Sequence, residues 1–219
     1  SHELRNPLTA IIGHADLALD DPNLSPKVRE QLEVIAGAGE RMQKLISEIL
    51  ATSRGVFRET SSPVAADASR IIASSLASCR PAAAARRVSV VDDLPESAEV
   101  GGDAFRLRQA FDNILSNAIK YTPAGGTIRI SGEVSEEDVI LNFADTGIGI
   151  HPDDLERVFD PYFRAQSVRE SPTPGTGLGM GIIRSIVEDQ GGSLFLESEL
   201  GAGTTVTVIL PARAEAGAA

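Results

Sequence analysis

Apolar residues near the start of the chain recur at helical spacing. Leu4, Leu8, Ile11, Ala15 and Leu19 are separated by four, three, four and four residues, which predicts one stripe on an α-helix ending near Asp20. Asp21-Pro22-Asn23 interrupts the pattern, and Ser25 followed by Pro26 supplies an N-cap and a first residue for a second helix. Along that helix Val28, Leu32, Ile35, Gly39, Met42, Ile46 and Ile49 alternate spacings of four and three, the heptad repeat of coiled-coil packing. It is expected to end near residues 53–55. Two helices of this length cannot bury both stripes on each other, so the pattern predicts an antiparallel hairpin that pairs with a second copy as a dimeric four-helix bundle.

Thr60-Ser61-Ser62-Pro63 breaks the composition and divides the chain into an expected helical domain, 1–57, and a second domain, 58–212, with residues 213–219 as a disordered tail. In the second domain Val64, Ala68, Ile71, Ile72, Leu76 and Cys79 form a helical stripe, and residues 88–91 read as a short strand. A helix over 103–121 follows. Residues 127–134 and 139–144 alternate as antiparallel strands around an acidic turn at 136–138. A helix over 178–190 ends at Gly191-Gly192, and 193–198 with 204–210 make a last hairpin around Gly201-Ala202-Gly203. Clustered strands with separate helices predict an α+β fold, an α/β sandwich whose mixed sheet is covered by helices on one face.

Composition narrows the chemistry. Of the 219 residues 42% are apolar, but 28 of these are alanine, so the core is expected to be lean and helix-rich. The net charge of −11 argues against a nucleic-acid partner and requires local cations or a metal to meet any nucleotide. A single cysteine, Cys79, permits no intrachain disulfide and fits a reducing, cytoplasmic setting. Apolar runs are only a few residues long, against roughly 20 for a membrane span, so no direct membrane contact is expected of this chain. The start, Ser1-His2-Glu3, lacks the pattern of a signal peptide and is expected to be an internal stretch of a longer protein.

Glycines cluster twice, as Asp145-Thr146-Gly147-Ile148-Gly149-Ile150 after a strand and as Gly175-Thr176-Gly177-Leu178-Gly179-Met180-Gly181 opening a helix. The second cluster could cradle an anion on backbone amides at a helix N-terminus; either alone is more often an ordinary loop or hairpin. On the 103–121 helix Leu107, Phe111, Ile114 and Ala118 define one face, while Gln109, Asn113, Asn117 and Lys120 define another. Asn113 and Asn117, four apart, bring two amides to one side, where an amide oxygen suits Mg²⁺ and Lys120 suits phosphate; a solvated helix face is the plain alternative. Val158-Phe159-Asp160-Pro161-Tyr162-Phe163-Arg164 is either a satellite core or a phosphate contact through Arg164, and residues 164–174 have the composition of a mobile lid. At the front His2 stands beside Glu3 and one turn from Asn6, off the Leu4–Leu8 stripe. There its imidazole is either surface or a nucleophile with a carboxylate as proton acceptor. Pro7 weakens the helix next to it.

Together these segments resemble the transmitter core of bacterial two-component sensor histidine kinases. Residues 1–8 are similar to the phosphoacceptor box, 112–121 to the N box, 145–150 to the first glycine box, 158–164 to the F box and 175–181 to the second glycine box, in the family's order. The second glycine box departs from the family at Met180-Gly181, where Leu-Ser or Leu-Ala is usual. The resemblance implies a dimerisation and phosphotransfer domain followed by an ATP-binding domain of the Bergerat type. It implies His2 as phosphoacceptor, Glu3 as general base and Asn6 as the residue that orients water for a phosphatase reaction. It also implies Asn117 as Mg²⁺ ligand with Asn113 adjacent, Lys120 and Arg164 on phosphates, Tyr121 beside the base and Asp145 on the adenine amino group. Gly147, Gly149, Phe159, Gly175, Thr176, Gly177, Leu178 and Gly179 complete the nucleotide site. The implied partners are ATP, a second copy of the chain and a response regulator, for which Thr9, Ile12, Gly13, Asp16 and Leu17 are docking candidates; the parent protein could be membrane-anchored. A gyrase- or chaperone-type ATPase, a nucleotide-binding dimeric pseudokinase scaffold and a phosphatase-dominant transmitter are the alternatives.

Overall fold

The computed structural model describes residues 2–19, 24–53, 65–169 and 176–213, with some helical side chains left out. The chain divides into two compact units, residues 1–58 and 59–219.

The first unit is a pair of helices, α1 (His2–Leu19) and α2 (Pro26–Ser53), packed along each other. Ser25 starts α2 as its hydroxyl accepts the Val28 N–H at 3.3 Å, and the Arg29 guanidinium donates to the Leu19 carbonyl at the end of α1 at 3.0 Å. Leu8, Ala15 and Ala36 are buried. Ile11, expected in the buried stripe, is 51% exposed. Leu8 and Ala15 are seven apart and share a seam; Ile11 lies about 60° to its side, too far round for one partner helix to cover. The α2 stripe also splits, with Gly39 buried and Val28, Ile35 and Met42 exposed. The Asp20–Asn23 turn, the side chains of Leu4, Ile46 and Ile49 and the 54–64 boundary lie outside the described residues.

The second unit is a five-stranded mixed sheet with helices on one face. Its strands are β2 (Ser89–Asp93), β4 (Thr127–Val134), β5 (Asp138–Asp145), β6 (Ser193–Glu199) and β7 (Gly203–Pro211), in the order β2-β4-β5-β7-β6. Only the β2–β4 pair is parallel. Alternation decides the faces: Ile128, Ile130, Val139, Leu141, Phe143, Val206, Val208 and Leu210 are buried, whereas Asn142 and Thr207 pair through their side chains at 2.8 Å on the other face. The apolar face is covered by α3 (Ala68–Ala85), α4 (Ala104–Tyr121) and α7 (Gly179–Asp189). Phe111 of α4 stacks on Phe143 of β5 with ring centroids 5.8 Å apart, and Ile183, Ile186 and Val187 bury the inner side of α7.

Two short strands, β1 (Ala65–Asp67) and β3 (Glu99–Gly101), pair antiparallel outside the main sheet, an element the periodicity did not predict. They displace the start of α3 from the expected Val64, which is outside the described residues, to Ala68. Asp67 caps α3 by accepting the Arg70 N–H, and also accepts from the Ala98 N–H at 3.1 Å. α3 continues past Cys79 and through Pro81 to Ala85. At the C-terminal end the Arg213 N–H donates to the Glu99 carbonyl at 2.9 Å, so backbone pairing reaches one residue into the expected tail; residues 214–219 lie outside the described residues.

Candidate functional site

α4 is the element around which the polar motifs of the second unit assemble. Its apolar face seats it as expected: Leu107, Phe111, Ile114 and Ala118 are buried, which leaves Asn113, Asn117, Lys120 and Tyr121 half-buried on the remaining surface. The Asp103 carboxylate caps the helix by accepting the Phe105 and Arg106 N–H groups.

The first glycine loop closes over the C-terminal end of α4. Ile148 N–H donates to the Tyr121 carbonyl at 3.2 Å, and a Cβ on Gly147 would lie 2.8 Å from that same oxygen. Gly149 has φ +67°, and a side chain there would run into the Glu199 carbonyl; the loop needs glycine for conformation and for space. The last hairpin supports it from behind: Ser198 Oγ accepts the Ile150 N–H at 2.9 Å, and Gly201 N–H donates to the Ile148 carbonyl at 2.8 Å. Gly203, φ +119°, lets β7 approach the Asp145 carbonyl where no Cβ would fit. The sequence marks Gly203 only as a turn residue.

Asp145 ends β5 with one carboxylate oxygen accepting the Gly147 N–H at 2.8 Å. Burial pushes its carboxyl above the ordinary carboxylate range, while the N–H groups of Gly147 and Thr204, which favour the charged form, oppose that rise. At the end of α4 Lys120 Nζ sits 4.9 Å from the centroid of the Tyr121 ring. A pocket of about 160 Å³ lies at this end of α4, lined by Lys120, Tyr121, Thr122, Pro123, Ile148 and Val168 and, from the α3–β2 turn, by Arg86; Asp145 is not part of that lining.

The second glycine box meets α4 one turn earlier. Gly179 faces the Asn117 amide, and Asn117 Nδ2 donates to Met180 Sδ at 3.8 Å, which leaves Oδ1 as a free oxygen donor of the kind Mg²⁺ accepts. Leu178 is buried and no side chain caps the N-terminus of α7 among the described residues, so its first N–H groups can receive an anion. Gly177, φ +72°, fits against the backbone of Tyr162 and Phe163, and Thr176 Oγ1 accepts the Leu178 N–H at 3.3 Å. Phe159 is half-buried beneath the Arg184 guanidinium, 5.3 Å from its ring centroid. Arg164 donates to the Val168 carbonyl at 3.1 Å. Gly175 lies outside the described residues.

The N box, both glycine boxes and the F box are thus brought together. His2, Glu3 and Asn6 lie in the first turns of α1, and their side chains are outside the described residues, as are those of the docking candidates Thr9, Ile12 and Asp16; Gly13 and Leu17 are exposed. In the expected lid, residues 166–169 form the short helix α6 (Gln166–Arg169) after α5 (Pro152–Leu155), and Val168 is buried at the pocket; 170–174 are outside the described residues. Arg86 and Val168 were not expected in the site. Neither carries a local signal, since Arg86 is one of several arginines near it and Val168 stands alone in a polar stretch.

Two family models match the chain. Residues 1–55 match the His Kinase A (phospho-acceptor) domain, and residues 102–214 match the histidine kinase-, DNA gyrase B- and HSP90-like ATPase. The histidine protein kinase DivJ of Caulobacter vibrioides is 36% identical over 96% of this chain and 36% of its own length. The phosphate regulon sensor protein PhoR of Pseudomonas aeruginosa is 34% identical, over 94% of this chain and 47% of its own. The chain therefore spans about a third to a half of these curated relatives. Among solved structures, full-length ShkA in complex with AMPPNP is similar with a TM-score of 0.80 at 25% identity, covering 99% of this chain and 45% of that one. The mycobacterial sensor histidine kinase MprB is similar with a TM-score of 0.63 at 29% identity, covering 69% of this chain and 99% of that one.

Proposed function

Because the chain belongs to the two-component sensor histidine kinases and comprises their transmitter core, we propose that it phosphorylates itself on His2 from ATP and passes the phosphoryl group to an aspartate of a response regulator. The observation that carries this reading is the convergence on α4: Asp145 and Tyr121 at one end, and the Asn117 amide with the uncapped start of α7 one turn away. A half-buried carboxylate suits an amino-bearing base, and the amides and cations nearby suit a triphosphate.

In this reading the Asp145 carboxylate accepts the adenine amino group and Tyr121 lies against the base. Asn117 Oδ1, with Asn113 adjacent, holds Mg²⁺; when bound, the ion neutralises charge on the transferring phosphoryl group. Lys120 and Arg164 meet phosphate oxygens. His2 Nε2 attacks the γ-phosphorus in line, ADP leaves, and Glu3 takes or holds the Nδ1 proton. Residues 1–57 serve dimerisation and phosphotransfer, and 58–212 bind nucleotide. The exposed Val28, Ile35 and Met42, each seven residues from the next, are the seam on which a second copy packs. Asn6, one turn from His2, supports a second activity as response-regulator phosphatase. No described helix is long and apolar enough to cross a membrane.

Mass spectrometry after incubation with Mg²⁺-ATP tests the reading. An acid-labile gain of about 80 Da on the peptide containing His2, absent in His2→Gln, is expected. An unphosphorylated chain that still binds ATP points instead to a pseudokinase scaffold, and release of phosphate without phosphohistidine to an ATPase of another branch.

A further inference from the structure

The nucleotide pocket has a contributor that belongs to none of the motifs. Arg86 closes α3, donating its own N–H to the Ala82 carbonyl at 3.2 Å, and sends its guanidinium across to the Lys120 carbonyl, with Nη2 at 2.9 Å. That carbonyl lies in the last turn of α4, where helical carbonyls have no partner within the helix and a cation is favoured by the helix dipole. The neighbouring carbonyls are claimed by other groups: Ala118 accepts the Thr122 N–H at 3.0 Å and its hydroxyl at 2.7 Å, and Tyr121 accepts the Ile148 N–H. The end of α4 is therefore held from two sides, by the first glycine loop and by Arg86.

The turn that delivers Arg86 is itself anchored. Arg87 adopts φ +57°, a conformation a non-glycine residue holds only when its surroundings fix it. Its carbonyl accepts the Gly125 N–H at 2.8 Å, and the Ser89 N–H donates to the Gly126 carbonyl at 2.9 Å. Arg86 lines the pocket together with Lys120, Tyr121 and Val168. The two side chains that rise from the segment it holds, Lys120 and Tyr121, are those that the proposed function assigns to the nucleotide.

We propose that Arg86 is a positioning residue of the nucleotide site, which by holding the Lys120 carbonyl fixes Lys120 and Tyr121 at the pocket and so sets ATP affinity. The proposal rests on the reading of this pocket as the ATP site. The experiment is calorimetric titration of the whole chain and of Arg86→Ala and Arg86→Lys with Mg²⁺-ATP, alongside the thermal midpoint of each ligand-free protein. Arg86→Ala is expected to raise Kd about three- to tenfold, because the released Lys120 and Tyr121 must then be ordered on binding, with a midpoint lowered by no more than about 4 °C, the worth of one hydrogen bond to the fold. Arg86→Lys, which keeps a donor cation, recovers at least half of that loss. An unchanged Kd in Arg86→Ala overturns the proposal. So does a loss of affinity that tracks a fallen midpoint and is not recovered by lysine, because Arg86 would then serve only the fold. Failure of the parent chain to bind ATP overturns the ATP-site reading and this proposal with it, whereas binding that is sensitive to Asp145→Asn but not to Arg86→Ala overturns this proposal alone.

Discussion

Replacing Asp145 by asparagine separates the requirements of binding from those of folding. The two side chains have the same shape, and the Gly147 N–H, 2.8 Å from one carboxylate oxygen, will hold the single amide oxygen of the variant in the same place. The amide NH₂ then takes the place of the second carboxylate oxygen, so in the proposed reading a donor meets the adenine amino donor where the parent offers an acceptor. The loss is that of a charge-assisted hydrogen bond, about 1.5 to 3 kcal/mol, or roughly 10- to 150-fold in Kd, with the upper half favoured by the donor–donor contact. Folding moves the other way. Burial raises the Asp145 carboxyl above its ordinary value, so the folded chain favours the protonated form; that advantage is complete below the ordinary carboxylate value and is lost as pH rises through the raised one. Where the parent carboxylate is ionised, the cost of its burial outweighs the Gly147 and Thr204 N–H groups that favour the charge; asparagine carries no charge, so ligand-free Asp145→Asn is expected to melt at the same temperature or higher. Titration with Mg²⁺-ATP and differential scanning calorimetry without nucleotide read the two effects. ATP affinity of the parent should also begin to fall at a higher pH than an ordinary carboxylate would impose. Unchanged affinity in Asp145→Asn removes Asp145 from the adenine site; weakened binding with a lowered melting temperature means that the carboxylate is needed for the loop rather than for the ligand.

Gly149→Ala forces a side chain into a left-handed backbone and against the Glu199 carbonyl; a loss of about 2 kcal/mol or more, read by urea denaturation, is expected together with weaker ATP binding, and an unaltered midpoint would refute the close approach. Phe111→Ala removes a fully buried ring stacked on Phe143 and should cost about 3 to 5 kcal/mol of stability; a cost below 1 kcal/mol would mean that the α4–sheet core is not as tight as the stacking implies. Ile35→Glu places a charge in the exposed heptad seam of α2 and is expected to shift sedimentation from dimer to monomer; a dimer that persists would exclude that seam as the contact.

The helices of the first unit, α4, α7 and all five strands of the main sheet were legible because their periods, 3.6 and 2, are imposed by residues a few positions apart. Asp103 and Ser25 announce helix starts in the same way. The β1–β3 pair was not, since three-residue strands have too few positions to display alternation, and α3 runs on through Pro81 because it packs against α4. In the site, Asn117, Asp145 and the glycines carry readable types and spacing. Val168 stands in a stretch with the composition of a polar lid, and only its burial and its place in the pocket lining assign it a role.

Residue order alone thus decided which segments are helix or strand, which faces are apolar, and which backbone stretches need glycine, as these follow from local sterics and repeat length. The packing of α3, α4 and the last hairpin decided the rest. It brings the Arg86 guanidinium to a carbonyl 34 residues away and makes Gly203 indispensable to the close passage of β7 past Asp145. It also leaves the Asp145 carboxylate partly desolvated. Burial, dielectric and long-range hydrogen bonding are properties of neighbours in space, and a sequence names only neighbours along the chain.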